Sequence, residues 1–197
     1  MFHKYQYWYF KKTIPSEQID LIINLCEQNN LQSATIDTEN PVIDYKKRDC
    51  SISWCNDKII YDIINPYILN ANKNAGWNFE ISWNEDCQYT VYNKSQFYGY
   101  HIDALDEPYQ NHKNKNYQGK IRKLSMTLQL TDPSEYEGGN FYFKYFDNGG
   151  VKEDKVEGAK EKGTLIVFPS SVLHKVTPVT KGTRKSLVCW SLGYPFK

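Results

Sequence analysis

Hydrophobic residues follow two different spacings along this chain, and the change falls near residue 76. Ahead of it they recur at helical spacing. Ile19, Ile22, Ile23 and Cys26 make one stripe; Ile60, Ile63, Ile64, Tyr67, Ile68 and Ala71 make another. Residues three and four apart share one helix face, so each stripe predicts a helix buried on one side. The first should start at Ser16 as N-cap, with Glu17 favourable to the dipole, and end at Asn29 and Asn30. The second should run from about Asp57 to Asn74, with Gly76 as its stop. Pro66 lies inside it and should kink it or split it in two, because proline removes a helix hydrogen bond. Tyr5, Tyr7 and Tyr9 alternate and suggest an opening strand. Residues 31–50 read as polar loop, with room for a strand around Ala34–Ile36.

From Trp77 the period drops to two. Phe79–Trp83, Cys87–Tyr92, Phe97–Ile102, Leu124–Leu130, Asn140–Phe146, Thr164–Phe168 and Arg184–Leu192 each read as a short strand. In the fourth, Met126, Leu128 and Leu130 share one face and Ser125, Thr127 and Gln129 the other. Many short strands between Gly, Pro, Asn and Asp turns indicate a sandwich or barrel. No linker follows the helices, so residues 1–197 are expected as one domain. Residues 1–76 would be a helical support and 77–197 the β core.

Composition narrows the class. Hydrophobic content of 40% and charged content of 24% suit a soluble globular protein. A net charge of +1 gives no push toward nucleic acid or anionic membranes. Sixteen tyrosines favour β structure. The five cysteines are odd in number and contain no Cys-x-x-Cys pair, which argues against a disulfide framework or thiolate zinc site. No apolar run approaches the roughly 18–20 residues of a membrane span, and the N-terminus lacks a signal-peptide pattern. A cytoplasmic protein with reduced thiols is expected.

The chemistry gathers at Tyr98-Gly99-Tyr100-His101-Ile102-Asp103. Residues two apart on a strand face the same way, so the His101 imidazole and Asp103 carboxylate project together. His174 lies 71 residues beyond Asp103, and Arg184 ten beyond His174. Alone, each is unremarkable. Together, two imidazoles and a carboxylate form the facial triad of non-haem Fe(II) oxygenases, which leaves coordination positions open. Strand parity puts Arg184, Ser186, Val188 and Trp190 on one face. If that face is internal, the Arg184 guanidinium needs an anion. A dicarboxylic cosubstrate would supply one, chelating iron at one end, with Tyr92 able to donate to the other. For Tyr92 and Trp190, core packing is the competing role. A zinc hydrolase with three protein ligands is a chemical alternative, but it does not call for a buried arginine at this offset. A non-catalytic metal-binding jelly-roll protein is another. The polar stretch 104–120 leaves directly from the motif and reads as a substrate lid, mobile until substrate binds. His112 within it is a rival ligand by type, discounted because a mobile loop positions a ligand poorly.

Four segments resemble the iron(II)- and 2-oxoglutarate-dependent dioxygenases, prolyl-4-hydroxylase-like branch. They run from Tyr92 to Asp103, from Arg122 to Pro133, from Tyr136 to Phe143, and from Lys162 through His174 to Leu187. The resemblance covers roughly Asn78 to the C-terminus. It implies a mainly β, double-stranded β-helix (jelly roll, cupin-like) beside the N-terminal helices. It implies His101, Asp103 and His174 as Fe(II) ligands and catalytic centre, and Arg184 as partner of the distal 2-oxoglutarate carboxylate. The family's tyrosines before the motif match Tyr92 and Tyr98, the former as a cosubstrate contact; Ser186 and Trp190 complete the expected lining. The implied reaction uses O₂ to decarboxylate 2-oxoglutarate to succinate and CO₂, with an Fe(IV)-oxo hydroxylating a C–H bond. Ascorbate is the expected reductant, and a prolyl residue of a peptide or protein the best substrate guess.

Overall fold

The computed structural model describes residues 4–36, 42–147 and 149–196. Two helices and fifteen strands follow in chain order. The first half holds β1 (Trp8–Phe10), α1 (Ser16–Cys26), β2 (Gln32–Ser33), β3 (Arg48–Asp49), β4 (Ser51–Cys55), α2 (Lys58–Asn74), β5 (Trp83–Asn84), β6 (Cys87–Tyr92) and β7 (Phe97–His101). The second holds β8 (Ile121–Gln129), β9 (Tyr136–Gly138), β10 (Phe141–Asp147), β11 (Gly150–Lys155), β12 (Leu165–Pro169), β13 (Leu173–Val176), β14 (Val179–Gly182) and β15 (Arg184–Gly193). One sheet runs β1-β12-β8-β15-β6-β4-β2, with β5 also on β15; a second runs β11-β10-β13-β7-β3; β14 and β9 form a small third. The paired strands are antiparallel throughout. This is the jelly roll expected from the sequence.

Alternation along the strands builds two cores. Leu165 and Val167 of β12 pack with Met126, Leu128, Leu187 and Cys189 under the isoleucine stripes of both helices. Ile166 and Phe168, one residue out of phase, pack between the sheets with Phe141, Phe143, Val176 and Tyr92. A strand buried on both faces needs apolar residues at both parities, and all of β12 is buried.

Several boundaries differ from expectation. Pro15, extended at ψ 149°, caps α1, and Ser16 is already helical without a side-chain cap. Pro66 does not split α2, which continues from Lys58 to Asn74. An internal proline costs about 3 kcal/mol. Burying Ile60, Ile63, Ile64 and Ile68 yields about 1.5–3 kcal/mol each, so sheet packing prevails. Residues 79–82 are not a strand. The Asn72 amide bonds the Phe79 N–H and C=O at 3.0 and 2.8 Å, tying the segment to α2. The stretch read as loop contains β2 and β3, and part of it lies outside the described residues. No described helix is long and apolar enough to cross a membrane.

Candidate active site

His101 ends β7 and His174 sits in β13, and the two are direct cross-strand partners. Asp103 follows β7, its backbone N–H donating 2.9 Å to the Ser170 carbonyl. These placements bring one ligand atom from each residue to within 4.8 Å of the others. Each imidazole is oriented by its own strand: Nδ1 lies 2.8 Å from the Gly99 carbonyl in His101 and 2.9 Å from that of Val172 in His174. A carbonyl can only accept, so both Nδ1 atoms carry the proton, and Nε2 is the nitrogen each ring can offer to a metal. Those Nε2 atoms face Asp103, at 3.6 Å and 3.4 Å from its two oxygens.

The protonation states suit metal binding. Burial pushes His101 down to about 3, reinforced by His174, so it is neutral at pH 7. Burial alone would raise Asp103, but the two imidazoles, Arg122 and Ser125 outweigh it and hold the carboxyl at about 2. A neutral imidazole and an ionised carboxylate are the forms that ligate.

The triad opens onto a cavity of about 410 Å³. Along β15, Arg184, Ser186, Val188 and Trp190 all line it, as strand parity predicts. Leu187 and Cys189 face the helices. Arg184 is 3% exposed. It donates from Nη1 to Ser186 Oγ at 3.2 Å and stands 5.4 Å from the centre of the Tyr92 ring. No carboxylate lies within ion-pair distance of it among the described residues; the buried ion pair is Arg122 with Glu85. The Tyr136 hydroxyl lies beside Arg184, and elsewhere in the cavity wall Trp190 Nε1 has no partner among the described residues. A buried cation with no carboxylate of its own among the described residues fits an incoming one. The donor set of two imidazoles and one carboxylate fits Fe(II). Both expected groups therefore find matching chemistry.

Expectation missed some of the lining. Arg48, in the stretch read as loop, lines the cavity, as do Trp54 and Arg122. The alternation of Cys50 and Ile52, both in the inter-sheet core, was the available signal. His112 stays away from the triad and stacks on Tyr117 at 4.2 Å. The 104–120 stretch is tethered from Tyr109 onward. Tyr109 donates 2.8 Å to Glu85, and the Tyr117 hydroxyl accepts from the Asp86 N–H at 3.0 Å. Ala104–Glu107 and Tyr109 border the cavity.

Comparisons with known proteins agree with this geometry. A PKHD-type hydroxylase of Alteromonas mediterranea is 41% identical over 100 residues, which cover 50% of this chain and 39% of that protein. The chain thus spans well under half the length of such curated relatives. A prolyl-4-hydroxylase of Pseudomonas putida superposes with a TM-score of 0.70 at 21% identity, over 95% of this chain and 93% of that one. A Trichoplax adhaerens prolyl hydroxylase, solved with a hypoxia inducible factor peptide fragment, also gives 0.70, at 16% identity over 95% and 84%. These last two likenesses speak to fold. Residues 87–192, which carry the triad, Arg184 and more than half of the chain, match the family described as the 2OG-Fe(II) oxygenase superfamily, and the chain belongs to that superfamily.

Proposed function

We propose that this protein couples O₂-dependent decarboxylation of 2-oxoglutarate to hydroxylation of a C–H bond, releasing succinate and CO₂. The preferred substrate is a prolyl residue in a peptide or protein. The observation that carries this reading is one cavity holding both the His101–Asp103–His174 cluster and a buried Arg184 with no anion of its own. A hydrolase has no use for the second feature.

His101, Asp103 and His174 hold the iron, which when bound supplies the oxygen chemistry. Arg184 takes the distal carboxylate of 2-oxoglutarate, with Ser186, Tyr92 and Tyr136 around it. Trp190 offers its unpartnered Nε1 to the same cavity. Phe141 and Phe168 pack against the His174 ring at 5.6 and 4.6 Å and keep water from that side. Ascorbate would return oxidised iron to Fe(II). Similarity to hydroxylases named for proline, one of them bound to a peptide fragment, supports the substrate class.

The test is succinate formation from 2-oxoglutarate in the presence of iron, ascorbate and air, followed by mass spectrometry for a 16 Da gain (the mass of one oxygen atom) on proline-containing peptides. Iron binding without any succinate would overturn the catalytic reading in favour of a non-catalytic metal protein.

A further inference from the structure

The cavity contains a second buried guanidinium with no anion beside it among the described residues. Arg48 is 6% exposed and lines the cavity. Its Nε donates to the Cys50 sulfur at 3.2 Å and its Nη1 to the Thr35 carbonyl at 3.1 Å. Both partners are neutral groups. Its planar face lies 4.5 Å from the centre of the Tyr98 ring, and that ring stacks on His101 at 3.5 Å. Arg48 is thus one aromatic ring removed from a metal-ligating imidazole. Asp49 next to it is engaged by Gln96 at 2.9 Å. Among the described residues no carboxylate comes within ion-pair distance of Arg48.

Charge counting shows what this means. An Fe(II) ion and a 2-oxoglutarate dianion cancel. Asp103 cancels one of the two free arginines, and Glu85 already cancels Arg122. Among the described residues one guanidinium remains, in a site where an uncompensated charge is unfavourable. Asp106 and Glu107 at the mouth are exposed and solvated.

We propose that Arg48 forms an anion subsite for the substrate, so that the oxidised carbon lies a few bonds from a carboxylate. That carboxylate is either an acidic side chain beside the target residue or a chain terminus. This rests on the reading of Arg184 as the partner of 2-oxoglutarate.

The experiment uses the full chain loaded with Mn(II), first titrated with 2-oxoglutarate by calorimetry and then held saturated. Two pairs of probes follow, read by paramagnetic broadening of their proton resonances. N-acetyl-L-proline against N-acetyl-L-prolinamide tests a terminal carboxylate. N-acetyl-prolyl-glutamate diamide against its glutamine counterpart tests a side-chain carboxylate. One carboxylate probe should bind about ten-fold or more tightly than its neutral twin. Arg48→Gln should remove the difference, and Arg48→Lys should keep part of it. Equal binding within both pairs, or a preference that survives Arg48→Gln, overturns the subsite. Should Arg48→Gln not fold, the wild-type preference and its reduction in Arg48→Lys decide. Failure to bind 2-oxoglutarate at the first step overturns the cosubstrate reading itself, and the two failures are therefore distinct.

Discussion

Arg122 grips Glu85 through two parallel hydrogen bonds, Nε to Oε1 and Nη2 to Oε2, each 2.7 Å long. Both side chains are more than nine-tenths buried. The third nitrogen, Nη1, lies 3.4 Å from the Asp103 carbonyl, and the guanidinium rests 4.0 Å from the Trp190 ring centre. Glu85 Oε1 also accepts from Tyr109. One ion pair therefore joins the backbone of Asp103, the cavity wall and the base of the 104–120 loop.

Breaking this pair on one side should be costly. Glu85→Gln leaves a buried charge uncompensated, a loss of about 3–5 kcal/mol. For a chain of this size that lowers the melting temperature by roughly 6–20 °C. The double variant Glu85→Met with Arg122→Met should recover most of the loss, since replacing a buried pair by apolar residues is often neutral. A thermal melt of the two proteins checks both statements.

The loop is held by two tyrosines, so its exposed lysines should resist trypsin even without substrate. Tyr109→Phe and Tyr117→Phe each remove one tether and should speed cleavage at Lys113 and Lys115 several-fold. Cleavage rates equal to wild type would show that the tethers do not hold the loop. Mobility on substrate binding is then expected in 104–108, the part without those tethers, as hydrogen exchange with and without substrate would report.

Gly139 sets a turn against the Arg184 side chain. It sits at φ +55°, and a Cβ there would lie 2.9 Å from Arg184 Cδ and 3.2 Å from the Tyr136 ring. Gly139→Ala should displace the guanidinium and raise the 2-oxoglutarate concentration needed for half-saturation about ten-fold, an effect of ~1.4 kcal/mol. Iron binding should change far less. Calorimetric titration of each ligand separates the two.

Asp103→Ala should abolish turnover while the fold persists. It leaves two imidazoles and no carboxylate charge to balance Fe(II). Outer-shell changes cost up to about 100-fold in metal affinity, and loss of a direct ligand should exceed that. Near-normal succinate production by this variant would remove the triad assignment.

How legible all this was depends on period and on partners. The β15 face was readable because Arg184, Ser186 and Trp190 alternate with apolar residues in a run long enough to show parity. The His-x-Asp pair was readable because strand geometry alone sets both side chains on one side. β3 was missed because Arg48 and Asp49 are both charged and show no alternation, whereas β4 does carry the signal, Cys50 and Ile52 alternating with Ser51 and Ser53. β11 was missed because its charged residues suit an edge strand, where solvent takes one side. The Arg122–Glu85 pair joins residues 37 apart, and no local pattern records such a contact. Pro66 misled because the isoleucines around it pack on a sheet formed elsewhere in the chain.

Arg184 gives the sharpest test of the cosubstrate site. If its guanidinium holds 2-oxoglutarate, Arg184→Ala breaks a desolvated bidentate pair, at about 2–5 kcal/mol. The half-saturating concentration of 2-oxoglutarate should then rise roughly thirty-fold to several thousand-fold, with iron binding nearly unchanged. Arg184→Lys should fall between, because lysine keeps the charge and loses the fork. The competing role is structural, and the surroundings bear on it. Arg184 has Ser186 Oγ as its hydrogen-bond acceptor and no carboxylate partner among the described residues. A buried, unpaired cation adds little stability, so Arg184→Ala should leave the melting temperature within a few degrees. If instead the protein melts much lower while its 2-oxoglutarate affinity barely moves, Arg184 is a scaffold residue. Titrating 2-oxoglutarate against all three proteins, with melting temperatures taken on the same samples, decides the matter.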